Sequence, residues 1–431
     1  MSFRKIVKAL IPRGLFNKIE PFGHGVEAVL FNLKNGFPAH GLNVIGVTGT
    51  DGKTTTCMLI AHMLCNSGKK VAMITTIAVD YADGAGEQPS PTHLTTASVP
   101  QLHKMFKKIR ANKPDWVILE TSSFALAQHR VLGVPYSVAV MTNLTHEHLD
   151  YHKTFESYRQ AKVKLFKMAA HNRHGLKTGV INADDPSAEY FTNAVPNVIT
   201  YGVKDGDLQA TDIKTTTASS TFKVSTEGLE LDIKLNLPGD FNVYNALAAV
   251  GVGQAVGLGS KQIEQGIASL KSVPGRMMRV EAGQDFEILV DYAVTPAALQ
   301  SALKAARQTT SGKVTLVFGA TGDRDKAKRP IMGEVAAKFA DRIFLTDDET
   351  YKEDPMIIRQ AVMEGIIKAG GQAKTTEVDE RGAAIKQAIA EAKTGDTVLI
   401  TGLGHQKDRN MGGKLVPWSD VEVAQRFLSE R

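Results

Sequence analysis

Past Pro38 the chain alternates short apolar runs, at 44–48, 71–75, 116–119 and 138–141, with longer stretches whose apolar residues recur at helical spacing, as at 54–67 and 99–111. Brief apolar runs bounded by polar and glycine-rich segments fit buried strands. Their regular exchange with helices predicts a mostly parallel sheet covered on both faces. Between 209 and 237 the period drops to two. Leu229, Leu231, Ile233, Leu235 and Leu237 alternate with Glu230, Asp232, Lys234 and Asn236, which predicts an antiparallel patch turning at Glu227-Gly228. A second alternating series follows Pro274-Gly275, with apolar runs at 286–290, 314–318, 342–346 and 397–400 and helices expected at 296–307, 330–339, 355–369 and 380–392. Three of these helices are expected to open on a proline, which a first helical turn accommodates. The expected fold class is α/β: a short helical segment at 1–40, a central parallel-sheet domain at 41–274 and a second α/β domain at 275–431. No internal repeat or low-complexity tract interrupts this order, which excludes solenoids and disordered arms.

Composition refines the picture. In 431 residues, 51 Lys and Arg against 45 Asp and Glu leave a net charge of +6 without a long block of one sign. That balance favours anionic ligands and does not make a nucleic-acid binder. Two cysteines, Cys57 and Cys65, are too few for a disulfide framework and are expected to be buried thiols in a reducing compartment. No run approaches the ~20 apolar residues that span a bilayer, and the N-terminus lacks a signal-peptide core, so a cytoplasmic protein is expected. Residues 1–38 interleave Arg4, Lys5, Lys8, Arg13, Lys18 and Lys34 with Phe3, Ile6, Val7, Leu10, Ile11, Leu15, Phe16 and Leu30. Such a segment reads as a helical cap on the next domain, or as a peripheral contact with an anionic membrane surface.

The candidate chemistry lies at the ends of the apolar runs. Gly49-Thr50-Asp51-Gly52-Lys53-Thr54-Thr55 follows a strand and opens a helix. Its glycines let backbone N–H groups face a triphosphate, Lys53 neutralises the outer phosphates, and the Thr54 hydroxyl can ligate magnesium. The general phosphate-loop pattern has Gly where this chain has Val47, so the loop is a variant. Glu120 ends the strand at 116–119, where a carboxylate beside such a loop would hold magnesium. The stretch 143–152 carries His146, Glu147, His148, Asp150 and His152. His148 and His152 have the i, i+4 spacing of zinc ligands, but no third ligand follows at a set distance, and a histidine joining phosphate-bound magnesium fits better.

Together, Gly49 to Thr56, Glu120-Thr121-Ser122-Ser123, Thr142-Asn143-Leu144-Thr145, His148-Leu149-Asp150-Tyr151-His152 and Ala161-Lys162 resemble the ATP-dependent Mur ligases, and among them the muramyl-tripeptide synthetase type. Further matches are Phe241-Asn242-Val243-Tyr244-Asn245, Val273-Pro274-Gly275-Arg276, Asp291-Tyr292-Ala293, Gly322-Asp323-Arg324-Asp325, Lys328-Arg329-Pro330, Gly402-Leu403-Gly404-His405 and Trp418-Ser419-Asp420. The resemblance implies a P-loop central domain, a Rossmann-like C-terminal domain and peptide-bond formation for peptidoglycan. ATP phosphorylates a muramyl-peptide carboxylate, and an incoming amino acid displaces the phosphate. ATP and two magnesium ions are implied, with Thr54, Glu120, His148 and a carbamylated Lys162 as metal-holding groups. Asn245 matches a position contacting adenine, Arg276 one contacting phosphate and Asp291 one contacting ribose. Thr95, Thr96, Ser122, Gln128 and Arg130 match contacts to the nucleotide-sugar peptide; Arg329, Asp348, Glu349 and Gln406 match the acceptor pocket. A monomer is implied.

Some positions depart from the family pattern. About forty residues precede the first strand, where tripeptide synthetases carry a whole domain gripping the uridine diphosphate, which leaves both a uridine-diphosphate donor and an altered or lipid-linked one open. Phe124 and Val294 each replace a histidine, and Gln406 replaces a glutamate. The family's Asp-Asn-Pro-Arg, selective for diaminopimelate, aligns with Asp348-Glu349-Thr350-Tyr351, so a lysine- or ornithine-type acceptor is expected. Two other functions compete: a related ligase such as a folylpolyglutamate synthase-like enzyme, and a P-loop switch ATPase.

Overall fold

The computed structural model describes residues 13–431 except 93, 217, 227 and 228, so the N-terminal tip and the turn expected at Glu227-Gly228 lie outside the described residues. A helix, α1 (Arg13–Asn35), leads into β1 (Val44–Thr48) and α2 (Lys53–Asn66). Then come β2 (Val71–Ile74), β3 (Ala78–Asp80), β4 (Gln88–Pro89), α3 (Val99–Asn112), β5 (Trp116–Glu120), α4 (Ser123–Ala127), β6 (Tyr136–Met141), α5 (Leu149–His152) and α6 (Phe155–His171). The first sheet continues through β7 (Thr178–Asn182), α7 (Ala188–Thr192), β8 (Asn197–Gly202), β9 (Leu208–Thr215), β10 (Ser220–Thr226) and β11 (Leu229–Leu235), and α8 (Asp240–Ala255) and α9 (Ser260–Ser269) follow.

These strands form one eleven-stranded sheet in the order β11-β10-β9-β8-β7-β6-β1-β5-β2-β3-β4. Its centre is parallel, as the alternation predicts, while the period-two segment extends it as an antiparallel edge. Alternate residues bury opposite faces. Ile45, Val47, Val138 and Val140 pack under α2 and α8, whereas Val44, Ala139 and Met141 pack on the side of α3 and α6. The chain leaves β1 toward both flanks of the sheet, so the C-terminal end of β1, between β5 and β6, is the switch point where such sheets bind ligands.

The second sheet, ordered β12-β13-β17-β14-β15-β16, is built from β12 (Met278–Arg279), β13 (Glu287–Asp291), β14 (Val314–Phe318), β15 (Arg342–Leu345), β16 (Thr375–Glu377) and β17 (Thr397–Thr401). Its helices are α10 (Pro296–Thr309), α11 (Lys328–Phe339), α12 (Pro355–Lys368), α13 (Arg381–Glu391) and α14 (Asp420–Ser429). α11 starts two residues before Pro330, which still lies in the first turn, where its missing N–H costs no helical bond. A hairpin of β18 (Asp408–Met411) and β19 (Lys414–Pro417) completes the chain.

Two expectations need correction. Cys57 is buried, but Cys65, at the end of α2, is exposed. Helix α1 packs on α3, with Phe31 edge-on to His103, and Asn32 Nδ2 donates to Leu132 O at 2.9 Å, yet Val26, Leu30 and Leu33 stay exposed, so it is only half a cap. Among the described residues no helix is long and apolar enough to cross a membrane.

α6 carries Lys162 and owes its start to Thr154, whose hydroxyl accepts the Ser157 N–H at 3.1 Å. Thr154→Ala is expected to cost about 1 kcal/mol, the usual worth of such a cap, read as a lower urea midpoint for the first unfolding transition.

Candidate active site

The 49–55 loop spans β1 and α2, with Gly52 at φ 80°. A side chain there is excluded twice, by the left-handed backbone and because a Cβ would lie 2.2 Å from Asn245 Oδ1. The segment after β6 braces the loop. Thr50 N donates to Asn143 O at 2.8 Å, and Asp51 O accepts from Thr142 Oγ1 at 2.6 Å. Lys53 Nζ folds back onto the Gly49 and Thr50 carbonyls at 3.1 and 2.6 Å.

Parallel pairing sets Val47 beside Glu120, which brings that buried carboxylate to the loop. Its Oε2 accepts from Thr54 Oγ1 at 3.0 Å, from Thr76 N at 2.8 Å and from Thr76 Oγ1 at 2.9 Å. Lys162 reaches the same place from α6: its buried Nζ donates to Gly49 O at 2.5 Å. Burial first, and Lys53 second, hold this amine well below the usual lysine range. A buried neutral amine is the form that adds carbon dioxide, whereas an ordinary surface lysine is protonated.

His148 adopts φ 58° and sets its ring edge-on to Phe124, centroids 4.8 Å apart. Desolvation, then Lys162, Lys53 and Lys328, hold its imidazole far below its ordinary range, so it is neutral, as a metal ligand must be. His152 turns elsewhere, its Nε2 3.0 Å from Ser123 Oγ. Among the described residues no three His, Cys, Asp or Glu side chains form a metal-holding group. Thr54 Oγ1, Glu120 and His148 suit a hard cation that takes its other oxygens from phosphate, and they do not fit zinc.

The expected donor-binding residues form one network. Thr96 Oγ1 donates to Glu120 O and accepts from Ser122 N, both at 2.9 Å, while Arg130 donates to Thr96 O at 3.2 Å and to Gln128 Oε1 at 2.8 Å. Thr95 adjoins it on the half-buried loop before α3.

The second sheet faces this loop with its strand C-termini. Asp291 ends β13; its Oδ2 accepts from Met277 N at 2.8 Å, and burial pushes its carboxyl up. The Arg276 guanidinium sits 4.7 Å over the Tyr292 ring, which also meets His405, with centroids 5.3 Å apart. Gly275, at φ 67°, lets the chain pass so close that a Cβ would lie 2.2 Å from His405 N. Asn245 lies under the loop, its Oδ1 accepting from Thr56 Oγ1 at 3.3 Å.

Beyond Tyr292, Asp348 and Glu349 follow β15, and Gln406 Nε2 lies 3.5 Å from Glu349 Oε2. Asp348 is buried and its carboxyl is raised to about 6 by desolvation, against the pull of Arg381. Arg329 differs from expectation. Its fork is closed on Glu353 at 2.9 and 2.7 Å, with 1% of the residue exposed, so it braces the pocket wall and does not present its fork to an acceptor carboxylate.

Several contacting residues carried no signal of their own in the sequence, among them Thr76, Tyr158 and Thr295. Thr295 Oγ1 donates across the cleft to Asp51 Oδ2 at 3.2 Å, and Lys328 Nζ, also across it, to Glu147 Oε1 at 3.1 Å. The β18–β19 hairpin did carry one, the Gly412-Gly413 pair at its turn.

Residues 47–253 match the Mur ligase middle domain, and residues 275–404 the Mur ligase glutamate ligase domain. The UDP-N-acetylmuramoyl-L-alanyl-D-glutamate–2,6-diaminopimelate ligase 1 of Clostridium acetobutylicum is 38% identical over 400 residues, 91% of this chain and 79% of that protein. The corresponding ligase of Geobacillus kaustophilus is 39% identical over 409 residues, 94% of this chain and 82% of that protein. A solved structure of such a diaminopimelate ligase superposes with a TM-score of 0.63 at 30% identity, covering 96% of this chain and 83% of that one.

Proposed function

The chain belongs to the Mur ligase family, and from that we propose that it joins 2,6-diaminopimelate to UDP-N-acetylmuramoyl-L-alanyl-D-glutamate with cleavage of ATP to ADP and phosphate. The observation that carries this reading is that relatives matching both domains along more than nine-tenths of the chain are named for that reaction. The lysine- or ornithine-type acceptor expected from the sequence gives way to it. Glu349 Oε1 accepts from Asn410 N at 3.0 Å, which ties this acid to the following hairpin.

The residues support the chemistry step by step. A substrate carboxylate must approach a polyphosphate, and like charges repel unless cations lie between them. Lys53 supplies one cation at the loop, and Arg276 a second from the facing domain. Thr54, Glu120, His148 and the Lys162 carbamate would hold two magnesium ions, whose chemistry is to polarise phosphoryl oxygens and neutralise charge. Asn245 and Asp291 orient adenine and ribose, while Thr95, Thr96, Ser122, Gln128 and Arg130 hold the donor. Asp348, Glu349 and Gln406 frame the acceptor. A P-loop switch would need none of these groups beyond the loop.

Incubating the full chain with ATP, magnesium and the UDP-muramyl-dipeptide, with diaminopimelate, lysine, ornithine or alanine as acceptor, tests the reading by ADP release and product mass. ADP is expected only when donor and acceptor are both present, and the product mass should equal donor plus diaminopimelate minus water. ATP hydrolysis independent of either substrate would favour the switch, and incorporation of lysine in preference to diaminopimelate would reject the acceptor.

A further inference from the structure

The β18–β19 hairpin is stitched to the acceptor-facing segment. Asn410 N donates to Glu349 Oε1 at 3.0 Å, Tyr351 N to Asn410 O at 3.1 Å, and Gly412 N to Thr350 Oγ1 at 3.2 Å. The neighbouring Arg409 retains 9% of its surface. Its guanidinium lies 3.9 Å over the Trp418 ring and its Nη2 is 4.0 Å from Glu380 Oε1, while Nε and Nη1 have no hydrogen-bond partner.

A second guanidinium is left short beside it. Arg381, fully buried, spends Nε on Asp420 at 2.8 Å and Nη2 on Asp420 at 2.7 Å and Thr401 O at 2.8 Å, but Nη1 has no partner. The two arginines are close enough to repel, and both act on Asp348. Unpaired charged donors in a dry site are costly, and stacking on Trp418 does not satisfy them. The nearby acids cannot do so either. Asp420 is committed to Arg381 and Trp418, Glu380 caps α13, and Asp347 is paired with Arg359. What these donors fit is a carboxylate brought in from outside.

We propose that Arg409, with Arg381 Nη1 alongside, binds the distal carboxylate of the acceptor while Asp348 receives the adjacent ammonium, so that this pocket reads a zwitterionic amino-acid end. The inference rests on diaminopimelate as acceptor. It assigns to β18 the clamp that the family pattern would place at Tyr351, and it gives Asp348 a cationic partner without requiring a lysine-type substrate. Arg409 acts as a specificity residue: it touches the substrate far from the reacting amine.

Steady-state kinetics of the full chain and of Arg409→Gln, with diaminopimelate and with lysine, which lacks the second carboxylate, test the proposal. In the variant the KM for diaminopimelate is expected to rise about 10-fold or more, as for loss of a charge-assisted bond, with kcat and the KM for ATP changed less than about two-fold. The KM for lysine should stay within about two-fold, and Arg409→Lys, which keeps the charge but loses the fork, should fall between. An unchanged KM for diaminopimelate, or an equal rise for both acceptors, overturns the clamp. If the unmodified chain does not use diaminopimelate at all, the functional reading fails and takes the clamp with it; if it does and Arg409→Gln is silent, only the clamp fails.

Discussion

Lys53→Ala is expected to lower ADP formation ~10²-fold or more at saturating substrates, with the melting profile preserved. Nζ is bonded only to carbonyls of its own loop, so its loss leaves no buried acid unpaired. What disappears is a cation positioned where charge develops during transfer, and interactions of that kind appear in kcat. Glu120 should match it in activity but not in stability. Three donors converge on its Oε2, so Glu120→Ala strands the Thr54 and Thr76 groups and adds a cost of about 1–3 kcal/mol. Glu120→Gln keeps the shape and most of those bonds while removing the charge, and it is the cleaner test. A coupled ADP assay with a parallel thermal melt separates the two effects, and near-normal turnover in Lys53→Ala or Glu120→Gln would sink the assignment.

Lys162→Ala should be as inactive, for a different reason. Burial and Lys53 hold this amine well below the range of a solvent-exposed lysine, which favours the free base that adds carbon dioxide. The adduct replaces a depressed base with an anion that suits a cation-rich site. Formate or acetate supplied to Lys162→Ala is expected to restore part of the activity, and wild-type mass spectra recorded under bicarbonate should show a gain corresponding to one carbon dioxide. If small carboxylates rescue nothing and no adduct is found, the lysine serves only to tie α6 to the loop through Gly49 O.

Most of the architecture was legible because strand and helix periods differ so sharply. The runs at 44–48 and 138–141 and the alternation at 229–237 fall where the strands lie. β16 carries no periodic signal, being three residues of which Thr375 and Thr376 are half-buried and Glu377 exposed. The loop at 49–55 was readable for a local reason, since glycine, lysine and threonine must be neighbours in sequence to be neighbours around a phosphate. The acceptor side was harder. Nothing local to Arg329 marks Glu353, 24 residues later, as the partner that claims its fork, and around Arg409 the one local signal is the Gly412-Gly413 turn. Non-local pairing of charges leaves no pattern in a single chain.

The cleft between the two sheets is bridged by side chains of modest strength, Asp51 with Thr295 and Glu147 with Lys328. Were the cleft to open, both ions of the second pair would return to water, and their rehydration would offset much of the attraction that is lost. These two contacts would therefore add at most a few kcal/mol to closure, and bound substrates, by touching both walls, would add the rest. Measured affinities for this protein will then carry a conformational component: each substrate should bind more tightly once another has drawn the walls together, even where the two ligands never touch.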